Sequence, residues 1–134
     1  PQEASAFLKK GVNAYFSLGK AVLRGQKSVC AMAASFDSTR LLTETDAPYM
    51  RLKAESYSHP CDIIAVTKQC ANLRFKGADS VQRTGSDAIK WKDSIKQYES
   101  CATALEELSI DEAAVKEFSD MIVRNFNCAF GLSD

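Results

Sequence analysis

Apolar residues in this chain recur every three or four positions, and nowhere do they alternate in the period-2 manner of a half-buried strand. That spacing predicts helices packed against helices. From 4 to 36 there is no proline, and Leu8, Val12, Tyr15, Phe16, Val22, Leu23, Val29, Cys30 and Ala33 fall at helical intervals. They predict one long helix A with a kink or break near Gly25, ended by Asp37, Ser38 and Thr39. Residues 43–58 suit a short helix capped by Asp46 with Pro48 in its first turn. Ser58 as N-cap and Pro60 just inside start helix B, whose apolar face is Ile63, Ile64, Thr67, Cys70, Ala71 and Phe75 and which ends near Gly77.

The stretch 77–85 is polar and rich in breakers, a loop or a helical extension. After a cap at Ser86, Trp91, Ile95, Tyr98, Ala102 and Leu105 give helix C the stripe of a helix lying nearly antiparallel to a neighbour. Ser109 and Glu112 have capping-box spacing; Val115, Phe118, Ile122, Phe126 and Ala129 continue as helix D to a left-handed cap at Gly131. With 134 residues the chain suits one core. The expected fold is all-α: an up-and-down bundle of about four helices with an additional short helix, one domain over 1–134.

Five cysteines, Cys30, Cys61, Cys70, Cys101 and Cys128, are many for a reducing compartment and are spread along the chain. In the bundle, Cys101 and Cys128 would sit roughly 16 Å apart along a C–D hairpin, too far to bond. The favoured pairs are Cys70 with Cys128, and Cys30 with Cys61 or Cys101, leaving one thiol over. A disulfide-braced protein of a secreted or organellar space, the mitochondrial intermembrane space included, is therefore expected. Pro1-Gln2-Glu3 has the look of a mature or trimmed start.

Chemistry is sparse. His59, the lone histidine, precedes Pro60 at a helix boundary where exposure is usual, so no histidine-based catalytic set is expected. There is no Cys-x-x-Cys pair to go with it, which argues against a metal site, and no glycine pattern cradles a phosphate, which argues against a nucleotide cofactor. Adjacent acids such as Glu106-Glu107 and Asp111-Glu112 point apart on a helix and give no acid–base pair. No apolar run is long enough to span a membrane.

Seventeen basic residues balance seventeen acidic ones, which argues against nucleic acid as a partner. On helix A, however, Lys9, Lys10, Lys20, Arg24 and Lys27 fall within about 100° of arc with no acid between 4 and 36. The expected function is a non-catalytic interaction module that meets another protein, or an acidic surface, through this basic amphipathic face. Two alternatives stand beside it. The aromatics could line a bundle pocket for a small apolar ligand, or the chain could be an accessory subunit of a larger complex.

Overall fold

Glycine breaks the first of the expected helices. Gly11 (φ 74°) and Gly25 (φ 66°) take left-handed backbone conformations that no continuing α-helix allows. In the computed structural model, which describes residues 2–81, 96–108 and 111–132, the segment expected as helix A is four elements. Helix α1 (Gln2–Lys9) is followed by strand β1 (Phe16–Leu18), a 3-10 turn (Lys20–Val22) and helix α2 (Lys27–Ser35). A second strand, β2 (Leu41–Thr43), then pairs with β1 in parallel, Phe16 opposite Leu41, Ser17 opposite Leu42 and Leu18 opposite Thr43.

Parallel neighbours cannot be joined by a tight hairpin, and α2 supplies the crossover. The result is a β-α-β unit, and the all-α expectation is corrected: the described residues form five α-helices and a two-stranded parallel sheet. Three-residue strands explain the miss. They are too short to show a period of their own.

The remaining regular elements of the described residues are helices. Helix α3 (Ile63–Val81) follows a 3-10 turn at Pro60–Asp62. Its start is capped by His59 rather than Ser58: the Cys61 amide donates to His59 Nδ1 (3.2 Å) and the His59 amide to Asp62 Oδ2 (2.7 Å). Helix α4 (Cys101–Glu107) begins at Ser100, whose hydroxyl accepts from the Thr103 amide (3.2 Å). Lys96 to Glu99 are not helical, so expected helix C does not run unbroken through Tyr98; its first half, with Ser86, Trp91 and Ile95, lies outside the described residues. Helix α5 (Glu112–Phe130) is capped by Asp111, which accepts from the Ala113 amide (3.0 Å), and closed by Gly131 in the left-handed region; Ser109 lies outside the described residues. No short helix occupies 43–58. Asp46 there has φ 54°, which starts a turn instead of a helix.

One core joins these elements. Leu18, Val22, Leu23, Cys30, Ala33, Leu41, Leu52, Ala65, Val66, Cys70, Ala71 and Phe118 are buried together, with α3 packed between α2 and α5. Two polar ties fix the layers. Asn125 of α5 donates to the carbonyls of Ser38 (2.6 Å) and Leu41 (2.8 Å), and Arg74 of α3 donates to those of Ala33 and Phe36 (3.0 Å each), satisfying the end of α2.

All five cysteines are free thiols: Cys30, Cys70 and Cys101 are buried, Cys61 and Cys128 exposed. None of the expected pairs is bonded, because the bundle that set their relative heights is not the fold. No described helix is long and apolar enough to cross a membrane.

Candidate active site at the strand ends

Because β1 and β2 run parallel, their C-terminal ends emerge side by side, and in parallel sheets with helical crossovers this is where ligands bind. After β1 come Gly19 and Lys20; after β2 come Glu44, Thr45 and Asp46. The Glu44 amide donates to the Leu18 carbonyl (3.1 Å), which extends the pairing one step past the strands. The Glu44 side chain lies over Gly19, with its Cγ only 3.3 Å from where a Cβ would stand. A side chain at Gly19 would push that carboxylate aside.

Asp46 is exposed and holds a left-handed backbone conformation. Aspartate tolerates this region better than most residues, yet it is uncommon outside turns and functional loops. The Asp46 carbonyl accepts from the Tyr49 amide (2.9 Å), and the Ser58 amide donates to the Pro48 carbonyl (2.9 Å), so the turn is tied down on both sides. The Asp46 and Glu44 carboxylates meet no cation among the described residues.

A charged network anchors the long loop after β2. Lys20 is fully buried, and its Nζ donates to Glu55 Oε2 (2.7 Å) and Asp62 Oδ2 (2.5 Å). Glu55 also accepts from the amides of Leu52 (2.8 Å) and Cys101 (2.7 Å). One carboxylate thus joins the turn after β1, the loop after β2 and the start of α4. Burial alone would raise the Glu55 carboxyl, but the Leu52 amide, the Lys20 ammonium and the Cys101 amide outweigh it and bring it down to about 2. For Lys20, burial works against the charge, and the hydrogen bonds to Asp62 and Glu55 win, holding the ammonium above its ordinary range.

Glu55, Asp62 and Cys101 place ligand atoms within 4.8 Å of one another, close enough to suggest a metal centre. The chemistry does not suit one. A fully buried ammonium already bonds both carboxylates, and burial together with the hydrogen bond to Glu55 pushes the Cys101 thiol up to about 12, far from the thiolate a metal needs. The cluster is an internal ion-pair network.

It also sets an acid limit. Unfolded Glu55 has its ordinary value near 4.5 and takes up protons before the folded form does, so its contribution is complete above about 4.5 and is lost as the pH falls towards about 2. At about 1.4 kcal/mol per pH unit this comes to about 3.5 kcal/mol, and partial exposure of the carboxylate trims it to about 2 kcal/mol. Urea unfolding of wild type and Glu55→Gln across this window should show the difference between them shrinking as the pH falls.

The five cations expected on one helical face are dispersed. Lys9 ends α1, Lys10 lies just beyond it, Lys20 is inside the protein, Arg24 sits in the turn after β1 and Lys27 opens α2. The helix that would have aligned them does not exist, so the basic face is corrected with it. His59 is exposed and serves as a cap. Glu44, Asp46, Glu55 and Asp62 were not anticipated as a site. The available signal was the short apolar run Leu41-Leu42-Thr43 leading directly into Glu44-Thr45-Asp46-Ala47-Pro48, a strand followed by a turn.

A family model described as TatD related DNase, a TIM-barrel family, matches residues 1–90. The match covers α1, both strands, α2 and the whole of α3, and it overturns the expectation that the chain is not an enzyme. No curated protein and no solved structure matches the chain.

Proposed function

Because the chain belongs to the TatD related DNase family, we propose that it serves in the hydrolysis of DNA phosphodiester bonds, with the C-terminal ends of β1 and β2 contributing to the active site. The observation that carries this reading is the placement of Asp46 and Glu44. Both follow a parallel strand at the end where barrel enzymes carry their catalytic residues, and Asp46 is held there in a backbone conformation seldom used elsewhere.

Asp46 and Glu44 offer the oxygen donors a hard divalent ion takes, without a protein cation among the described residues, and would be among the residues that hold one. Such an ion, when bound, polarises a phosphoryl oxygen as a Lewis acid. The protein's own part is positional. Gly19 leaves room for Glu44, the turn keeps Asp46 exposed, and the Lys20 network fixes the loop that carries the turn.

A DNA substrate runs against the expectation drawn from net neutrality, but whole-chain charge averages over both faces and does not govern a local cleft. The cleft of about 590 Å³ beside Tyr98 is lined mostly by charged and polar side chains, which suits a charged ligand better than an apolar one. The reading is tested with a fluorescently labelled single-stranded oligonucleotide in magnesium or manganese buffer. Wild type should cleave it and Asp46→Asn should not; equal cleavage by both would remove Asp46 from the site.

A further inference from the structure

Beside the strand ends lies a cleft of about 590 Å³ lined by Arg24, Arg51, Leu52, Lys53, Gln97, Tyr98 and Glu99. Arg24 comes from the segment that follows β1, and Arg51, Leu52 and Lys53 from the loop that follows β2 and carries Asp46, so the segments leaving both strands build the wall of the cleft. Its walls are tied together. Arg24 Nη2 donates to the Arg51 carbonyl (2.6 Å), the Tyr98 amide to the Leu23 carbonyl (2.8 Å) and the Ala54 amide to the Glu99 carbonyl (3.0 Å).

Among the described residues the lining holds three cations and one carboxylate. Lys53 Nζ lies 3.5 Å from Glu99 Oε1, which uses up that carboxylate. Among the described residues Arg24 and Arg51 have no acidic partner, and both are exposed. Two guanidiniums on a braced wall, in the same loop system as the exposed Asp46, form a charge pattern suited to holding a polyanion.

We propose that this cleft binds the phosphodiester backbone of the DNA strand being cut, with the Arg51 guanidinium contacting a phosphate next to the one at Asp46. The proposal rests on the nuclease reading and adds the surface that holds the substrate. Arginine suits the role because its planar fork pairs with two phosphate oxygens and cannot lose its charge. The contact is with the backbone, so it carries affinity rather than sequence preference.

The test is fluorescence anisotropy with a labelled oligothymidylate in EDTA, so that binding is read without cleavage, over a range of salt. Arg51→Glu should bind about tenfold more weakly near 0.1 M salt, with a salt dependence shallower by about one unit of slope. Arg51→Lys, which keeps the charge, should recover most of the affinity, and Lys116→Glu on α5 should bind as wild type does. In cleavage assays Arg51→Glu should raise KM and leave kcat nearly unchanged.

Wild-type affinity and slope in Arg51→Glu would overturn the cleft proposal while leaving the nuclease reading intact. Equal inhibition by a mononucleotide and by the oligonucleotide would also overturn it, since a backbone groove needs more than one phosphate. Failure of wild type both to bind and to cleave would overturn the nuclease reading and the cleft with it. Circular dichroism of each variant separates these outcomes from loss of fold.

Discussion

Asp46→Asn should lower kcat for oligonucleotide hydrolysis by roughly 10²- to 10³-fold, the scale on which losing one pre-positioned electrostatic group acts. The substitution removes the charge and almost nothing else. Asparagine is as much at home in the left-handed region as aspartate, so the φ of 54° at this position is retained without new strain. The side chain is exposed, so no buried group loses a partner. Thermal unfolding should therefore coincide with wild type while turnover collapses, and KM should change little if the backbone of the substrate is held elsewhere. Asp46→Ala should lose the same activity and, in addition, some stability, because alanine tolerates the left-handed region less well. A large fall in stability for Asp46→Asn would mean that the carboxylate supports the fold rather than the reaction.

Lys20→Met should destabilise the protein by about 3 kcal/mol, the lower end of the cost of breaking a buried ion pair. The ammonium is fully buried and bonds two carboxylates, so its removal leaves Glu55 and Asp62 facing each other without a counter-charge. Both acids retain some contact with water, at 14% and 17% exposure, which moderates the loss. Urea unfolding at pH 7 measures it directly. The companion variant Lys20→Met with Glu55→Gln removes one of the stranded charges and should recover part of the loss. Because the network anchors the loop carrying Asp46, Lys20→Met should also lower kcat even at temperatures where the protein is fully folded. An unchanged midpoint would mean that the carboxylates find water readily and that the loop needs no such anchor.

Local signals were legible in the sequence, and long-range ones were not. The apolar periods of α3 and α5 give those helices directly, and Gly131 marks the end of α5, because a helix is specified by neighbours three and four residues apart. The strands are a different matter. Phe16–Leu18 and Leu41–Thr43 acquire their identity only by pairing with each other across an intervening helix, and three residues carry no periodicity of their own. Tyr15 and Phe16 therefore fitted a helical face just as well.

Lys20 illustrates the same limit in the site. By its sequence neighbours it is one more cation on a basic helix. Its burial follows from Glu55, 35 positions away, and from Asp62 farther still. Asp46 and Pro48 were recognised as a structural signal but assigned to a helix start. The same residues serve a turn, and the choice depended on whether a strand came before them. The expected cysteine pairing fails downstream of this. Its axial distances assumed parallel bundle helices, and once β1 and β2 replace the middle of helix A those heights no longer apply.

The proposal that DNA is bound and cut at the carboxyl ends of the two strands is most directly tested by mapping where a strand of DNA touches the protein. Backbone amide chemical shifts of the isotope-labelled chain can be followed while oligothymidylate is added in EDTA. Perturbations should concentrate at Gly19, Glu44 and Asp46 and along Arg24 and Arg51, with α1 and the exposed side of α5 unmoved. Shifts confined to α1 or α5, with the strand ends silent at saturation, would contradict it.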